Sequence, residues 1–296
     1  MKKIAVGIIA VFGLVFLQPA HAEVAPSIVI VDTAIDSSIP QLSSKLVQEV
    51  CIVTSGTCPN GKTFQEGLGS ATLPKPQVYM NGFEHGTIMS LIANKINPNA
   101  NIIFIRIAGI SKTGTMYSFS DLEVTKALDW AIANKTKYNI VSVSSSVGTH
   151  NLNKTGSYCP IKSTHSQLIS NINTLINIGV PTMFAAGNNG DISKVDFPAC
   201  IPAAIAVAGS DYNVDDGNFI GLWSNGGSDV DFYALGVYDT QIKRAIGTSA
   251  STAAFSAYWA KNYKGTYQAT YDYMKSITKP IKNYKTNTTV FVDILK

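Results

Sequence analysis

The chain has 296 residues, 46% of them hydrophobic and 14% charged, with a formal net charge of +4. That composition describes a globular protein with a sizeable core and excludes a disordered or fibrous chain. No long basic run is present of the kind that binds nucleic acid or an anionic membrane. Residues 1–22 read as a secretory signal, with Lys2-Lys3, an apolar run from Ile4 to Leu17, and Ala20-His21-Ala22 as the cleavage site. The apolar run is shorter than the ~20 residues a membrane-spanning helix needs, and Pro19 follows it. Cleavage leaves residues 23–296 as one exported, periplasmic or extracellular domain, and the loss of Lys2 and Lys3 takes the charge from +4 to +2.

The domain opens on Ser27-Ile28-Val29-Ile30-Val31, a short β-branched run ending at Asp32 and expected as a buried parallel strand. Residues 41–81 read as an irregular, turn-rich insertion containing Cys51, Cys58, Pro59-Asn60-Gly61 and Pro74-Lys75-Pro76. Glu84-His85-Gly86-Thr87 then starts a helix with Ile88, Met89, Ile92 and Ala93 on one face. A strand over 102–107, a helix from Ser120 to Ala133 with an acidic start, and a strand over 140–144 follow. Next come a helix over 166–178 and strands at 180–185 and 203–208. Last is an Ala-rich helix entered through Gly247-Thr248-Ser249 and running to Ala260. Strand and helix alternate throughout, which predicts an α/β fold: a mainly parallel central sheet with helices on both faces. Ligands of such sheets bind at the carboxyl ends of the strands, where Asp32 and Asn188 both fall.

Cys51, Cys58, Cys159 and Cys200 make an even number in an exported chain, which implies disulfides. Three pairings are open. The short separation of Cys51 and Cys58 around a Gly/Pro/Asn-rich loop favours that pair and leaves Cys159 with Cys200. A zinc site would want C-x-x-C spacing and neighbouring histidines, which are missing here.

Four stretches carry candidate chemistry, and each has a bland reading beside it. Ser249 stands at the first turn of its helix, as a cap or as a nucleophile whose oxyanion meets free amides and the positive helix end. Of the histidines after the signal, His85, His150 and His165, only His85 begins an apolar helix. A helix N-terminus disfavours its imidazolium and a nearby carboxylate favours it, a balance that suits a general base. Asp32 either caps a turn with Thr33, Asp36 and Ser37 or accepts the other ring N–H of the histidine, fixing its tautomer. Ala185-Ala186-Gly187-Asn188-Asn189-Gly190 is either a plain turn or a close-approach segment whose Asn amide donates to an oxyanion.

Taken in order, Val31-Asp32-Thr33-Ala34-Ile35-Asp36, His85-Gly86-Thr87, Ala185-Ala186-Gly187-Asn188 and Gly247-Thr248-Ser249 resemble four motifs of the subtilisin-like serine proteases (subtilases). They match the family's aspartate, histidine, oxyanion and serine motifs, and the likeness extends over residues 27–262. Phe197-Pro198-Ala199, Ile205-Ala206-Val207 and Trp223-Ser224-Asn225 also fit the pattern. The resemblance implies a three-layer sandwich and a serine endopeptidase working through an acyl-enzyme. It assigns Asp32, His85 and Ser249 to catalysis and Asn188 to the oxyanion. Gly114, Ser146, Val147, Gly148, Ala186 and Gly187 would bind substrate. It also puts Asp196 at the floor of the pocket for the residue preceding the scissile bond (P1), favouring Arg or Lys there; otherwise Asp196 faces solvent or pairs with Lys194.

The chain departs from the pattern at Ile88, where a second histidine is common, and at Ala253, where a proline is usual. Little sequence separates Ala22 from the first strand, too little for the family's N-terminal pro-domain. The 94–101 loop is shorter than the one that holds tight calcium in calcium-stabilised members. No cofactor is therefore expected, and the substrate is a peptide or protein taken by a monomer free of the membrane after signal cleavage. Two other functions fit the same residues: a non-catalytic peptide-binding protein, and a peptide ligase or macrocyclase in which an amine intercepts the acyl-enzyme.

Overall fold

Val29 and Val31 face one side of the central sheet, Ile28 and Ile30 the other, and all four are buried. A strand covered on both faces needs no polar alternation, so it reads as one continuous apolar run. The computed structural model describes residues 25–148, 159, 161–213, 217–285 and 288–292. The signal segment and His150 lie outside the described residues.

In chain order, β1 (Ser27–Asp32), α1 (Pro40–Ser43), β2 (Leu46–Ile52) and β3 (Phe64–Glu66) lead to α2 (Glu84–Ile96) and β4 (Asn101–Arg106). Then come α3 (Asp121–Asn134), β5 (Ile140–Ser145), α4 (Ser166–Asn177), β6 (Thr182–Ala185), β7 (Ile205–Asn213) and β8 (Gly217–Ile220). β9 (Phe232–Leu235), β10 (Val237–Asp239) and β11 (Arg244–Ile246) precede α5 (Thr248–Lys261) and α6 (Tyr267–Ser276). β12 (Lys279–Asn283) and β13 (Thr288–Val292) close the described chain. The large sheet runs β13-β12-β8-β7-β6-β5-β1-β4-β2-β3, with β9 also against β7. Its centre is parallel, and antiparallel pairs occur towards its edges. β10 and β11 form a separate hairpin.

Helices cover both faces. Val124 and Leu128 of α3 and Leu168 and Ile172 of α4 pack with Val29 and Val31. Ile88 and Ile92 of α2 and Ala253, Phe255 and Ala257 of α5 pack with Ile28 and Ile30. α5 is buried almost all round, and its alanines let its backbone approach the sheet closely. α2 comes equally near: a Cβ on Gly86 would lie 2.4 Å from the Phe104 ring and 2.5 Å from the Ala34 carbonyl oxygen.

The expected irregular insertion at 41–81 is corrected in part, because Leu46–Ile52 is a strand of the main sheet paired in parallel with β4. Gln48 and Glu49 interrupt its apolar pattern, and Glu49 is nevertheless fully buried. One oxygen of its carboxylate accepts a 2.9 Å hydrogen bond from the Ala71 N–H. Arg106, also fully buried, donates from Nη2 to Cys51 Sγ and to the Thr57 carbonyl, both at 3.0 Å. Burial pulls the Arg106 guanidinium down to about 10, against the opposing attraction of Glu49. Buried polar groups that find partners from elsewhere in the fold are invisible to a periodicity reading. Of the three possible cysteine pairings the structure forms Cys51–Cys58 and Cys159–Cys200.

Candidate active site

β5 lies between β1 and β6, so the carboxyl ends of all three strands meet at one edge of the sheet. Asp32 ends β1, Ser146-Val147-Gly148 continues from β5, and Ala186-Gly187-Asn188 continues from β6. α2 and α5 bring His85 and Ser249 to the same edge through their first turns.

Asp32 is buried, and its Oδ1 lies 2.8 Å from His85 Nδ1. The Thr33 N–H donates to the same oxygen at 2.7 Å, so the carboxylate is held from its own backbone as well. Thr33 also fixes the helix that carries the histidine: its hydroxyl donates to the Phe83 carbonyl at 2.8 Å and accepts from the Gly86 N–H at 3.1 Å. The histidine side chain keeps 38% of its surface exposed. Desolvation disfavours its imidazolium, but the charge and hydrogen bond of Asp32 outweigh that, and the His85 pKa is raised above 6.5. His165 has a structural place instead, with its Nε2 3.2 Å from Asp121 Oδ2 and its ring stacked on Phe197.

At the start of α5 the amides are divided up. The Thr248 N–H donates to Asn188 Oδ1 at 2.8 Å, and those of Ala250 and Ser251 go to the Gly247 carbonyl. The Ser249 N–H is left without a partner among the described residues, at the positive end of a 14-residue helix. Gly247 has φ +146°, a conformation that favours glycine, and a Cβ there would lie 3.2 Å from the Asn188 amide. The Thr248 hydroxyl also donates to Asn188 Oδ1, at 3.1 Å, and accepts from the Gly187 N–H at 3.2 Å. With Oδ1 so occupied, Nδ2 is what the Asn188 amide has left to donate. Ser249 is half-exposed, and Ser146 Oγ lies 3.5 Å from its carbonyl oxygen. Its hydroxyl makes no hydrogen bond among the described residues, as is common for a catalytic contact that tightens only with substrate bound.

Asp32, His85, Ser146 and Val147 line one cleft of about 340 Å³, whose other walls include Met116, Phe119, Glu84 and Lys243. Gly114 does not line it. It sits at φ +83° in the turn before Met116, and its carbonyl accepts from Asn81 Nδ2 at 2.8 Å. Asp196 is buried rather than solvent-facing and accepts a 3.0 Å hydrogen bond from Asn225 Nδ2. Its backbone N–H is held by the Ala186 carbonyl at 2.8 Å. A Cβ on Gly187 would reach Asp196 Oδ2 at 2.3 Å, and one on Gly148 would come 3.6 Å from Asp196 Cβ. The Gly187 backbone thus packs directly against this carboxylate, where no side chain would fit. Lys194 forms an ion pair with Asp191, at 3.8 Å.

A family model described as the subtilase family matches residues 24–288. The chain belongs to the subtilases, a family of serine peptidases. A curated relative, the cuticle-degrading serine protease of Arthrobotrys oligospora, is 26% identical over 200 residues. That match takes in 62% of this chain and 43% of the relative's length. Among solved structures, a protease from Pseudoalteromonas arctica PAMC 21717 superimposes with a TM-score of 0.65 at 17% identity, covering 86% of this chain and 83% of that one. A cold-adapted subtilisin-like serine proteinase gives 0.60 at 20%, covering 92% and 89%. These likenesses fix the fold as the subtilisin-like three-layer sandwich.

Several residues of this subtilase site make contacts that no local signal in the sequence reveals. Thr33 and Thr248 stand inside the aspartate and serine motifs, but nothing there says that each holds a motif residue or its helix. Met116 and Phe119 read as part of an undistinguished polar stretch. Asn225 lies in a recognisable Trp-Ser-Asn segment, but nothing in that segment says what its side chain touches.

Proposed function

We propose that this subtilase is an exported serine endopeptidase acting through an acyl-enzyme, with Asp32, His85 and Ser249 as its triad. The arrangement that carries the reading is the 2.8 Å contact of Asp32 with His85 Nδ1, together with a Ser249 at the same sheet edge whose own N–H has no partner among the described residues. In the reaction Ser249 Oγ adds to the scissile carbonyl carbon and its proton passes to His85 Nε2. Asp32 keeps Nδ1 protonated and stabilises the imidazolium. The carbonyl oxygen, now an anion, takes hydrogen bonds from the Ser249 N–H and Asn188 Nδ2. Collapse breaks the C–N bond as His85 returns the proton to the leaving amine. Water, deprotonated by the same histidine, then frees the acid and regenerates Ser249. Analysis of cleavage products from a peptide library, by mass, tests the reading; amine-capped products in place of free acids would make the chain a ligase.

Asn188→Ala is expected to lower kcat roughly 10²–10³-fold with little change in KM, because Nδ2 meets the oxygen mainly as charge develops on it. A rise in KM at unchanged kcat would make Asn188 a ground-state binding residue instead.

The enzyme is read as preferring Arg or Lys at P1, through Asp196. The support is a buried carboxylate between Gly148 and Gly187, just beyond the strand ends that flank the cleft. A desolvated carboxylate gains most from a cationic partner. A P1-scanned substrate set should give a basic preference in wild type that disappears in Asp196→Ala. An apolar preference indifferent to that substitution would overturn the assignment.

The 94–101 loop is read as holding no tight calcium, on its short length and on Asn97, whose Oδ1 accepts from the Asn99 N–H at 3.2 Å and whose carbonyl accepts from the Ala100 N–H. Stability is assigned to the disulfides, which close separations of 7 and 41 residues. EDTA should leave the melting temperature nearly unchanged, whereas reduction should cost about 2–5 kcal/mol of unfolding free energy. A large EDTA shift with no effect of reduction would reverse that assignment. Export is read from the disulfides and from residues 1–22, and among the described residues no helix is long and apolar enough to cross a membrane.

A further inference from the structure

We propose that Asn225 is a positioning residue for catalysis, one that sets the oxyanion donor Asn188 and ties it to the P1 pocket. The proposal rests on the role given to Asn188 above. Asn225 is fully buried, whereas Asn188 and Asn189 are exposed. The donor therefore lies on a surface turn that needs support from beneath. Asn225 gives that support on both sides of Asn188. Its backbone N–H donates to the Gly187 carbonyl at 2.9 Å. Its Oδ1 accepts from the Asn189 N–H at 3.0 Å and from the Asp191 N–H at 3.1 Å. The remaining group, Nδ2, donates to Asp196 Oδ1 at 3.0 Å.

A single planar amide thus links the backbone that carries the oxyanion donor to the carboxylate of the P1 pocket. The fit is tight, since a Cβ on Gly187 would lie 2.3 Å from both Asn225 Nδ2 and Asp196 Oδ2. Removing the amide would take a hydrogen bond from two backbone N–H groups and from one buried carboxylate oxygen at once. The turn would have to shift to find replacements. An ångström of displacement in a group that meets the transition state is enough to slow the reaction by up to about 10²-fold.

The experiment is a double-mutant cycle of Asn225→Ala with Asn188→Ala. It uses a substrate with Ala at P1, whose side chain cannot reach Asp196, and rates are expressed per serine titrated with a fluorophosphonate. The arm comparing wild type with N188A tests the oxyanion assignment by itself; if N188A is without effect, that assignment fails, and this inference with it. Given a working Asn188, N225A should lower kcat roughly 10–100-fold with KM changed less than about threefold. In the N188A background it should cost less than about threefold, since the donor it positions is gone. An equal loss in both backgrounds, or no loss in the wild-type background, would overturn the inference. Should N225A fail to fold, the cycle is run with N225D, which keeps the acceptor for Asn189 and Asp191 but sets a carboxylate oxygen against Asp196 Oδ1 and so pushes the turn from its place. Its loss should exceed about threefold with Asn188 present and fall below about threefold in the N188A background; an equal loss in both, or none with Asn188 present, would overturn the inference.

Discussion

Ser249→Ala is expected to lower kcat by about 10⁶ while the protein stays folded, a magnitude taken from subtilisin rather than derived from this geometry. The structural argument concerns the kind of loss. Ser249 is half-exposed and its hydroxyl makes no hydrogen bond among the described residues, so its removal takes the proposed nucleophile and little packing. The Ser249 N–H and the Asn188 amide survive in the variant. A residual rate of roughly 10³–10⁴ over the uncatalysed reaction should therefore persist from the oxyanion donors and binding alone. Circular dichroism and melting temperature should match wild type. A well-folded S249A with near-normal turnover would remove Ser249 from the mechanism.

Asp32→Asn should cost about 10⁴ in kcat, because an amide in place of the carboxylate can leave His85 in the wrong tautomer. It also makes a pH prediction with a definite sign. Catalysis needs neutral His85, so in wild type the rate rises with pH through the pKa of His85, which lies above its ordinary 6.5. Asp32 is the largest influence holding that pKa up, against desolvation, which pulls it down. With the carboxylate gone, the acid limb of kcat/KM should move to lower pH even as the plateau falls. Glu84 is the remaining neighbour that raises the pKa, and Lys243 lowers it; they pair with each other at 2.6 Å. An acid limb that stays put in D32N would mean that Asp32 does not govern His85.

The parts of this site that were legible in the sequence are those where chemistry and local structure coincide in a few adjacent residues. Asp32 ends an unbroken β-branched strand, His85 opens an amphipathic helix, and Ser249 follows a glycine that a positive φ requires. Each motif therefore shows both its residue and its place on an element. The sheet was legible where strands are apolar throughout, as in β1 and β4. It was not at β2, where buried Glu49 breaks the run and finds its partner in Ala71. β12, next to the sheet's edge, was missed for a related reason: Lys279-Pro280-Ile281-Lys282-Asn283 buries only Ile281 and Asn283, too little to stand out. Contacts across long separations were least legible of all. Thr248 fixes Asn188 across 60 residues and Asn225 reaches Asp196 across 29, and no local pattern encodes either pairing. Gly114 entered the substrate site by family resemblance alone, and it lies in the turn before Met116, held by Asn81, both residues of the cleft wall.

The most direct measurement is the intact mass of the purified protein after reaction with a fluorophosphonate, followed by peptide mapping of the adduct. One phosphonyl group per chain is predicted, on Ser249, absent in S249A and formed much more slowly in D32N. Folded wild-type protein that takes up no adduct, or takes it up on another residue, would contradict the assignment of Ser249 as the nucleophile.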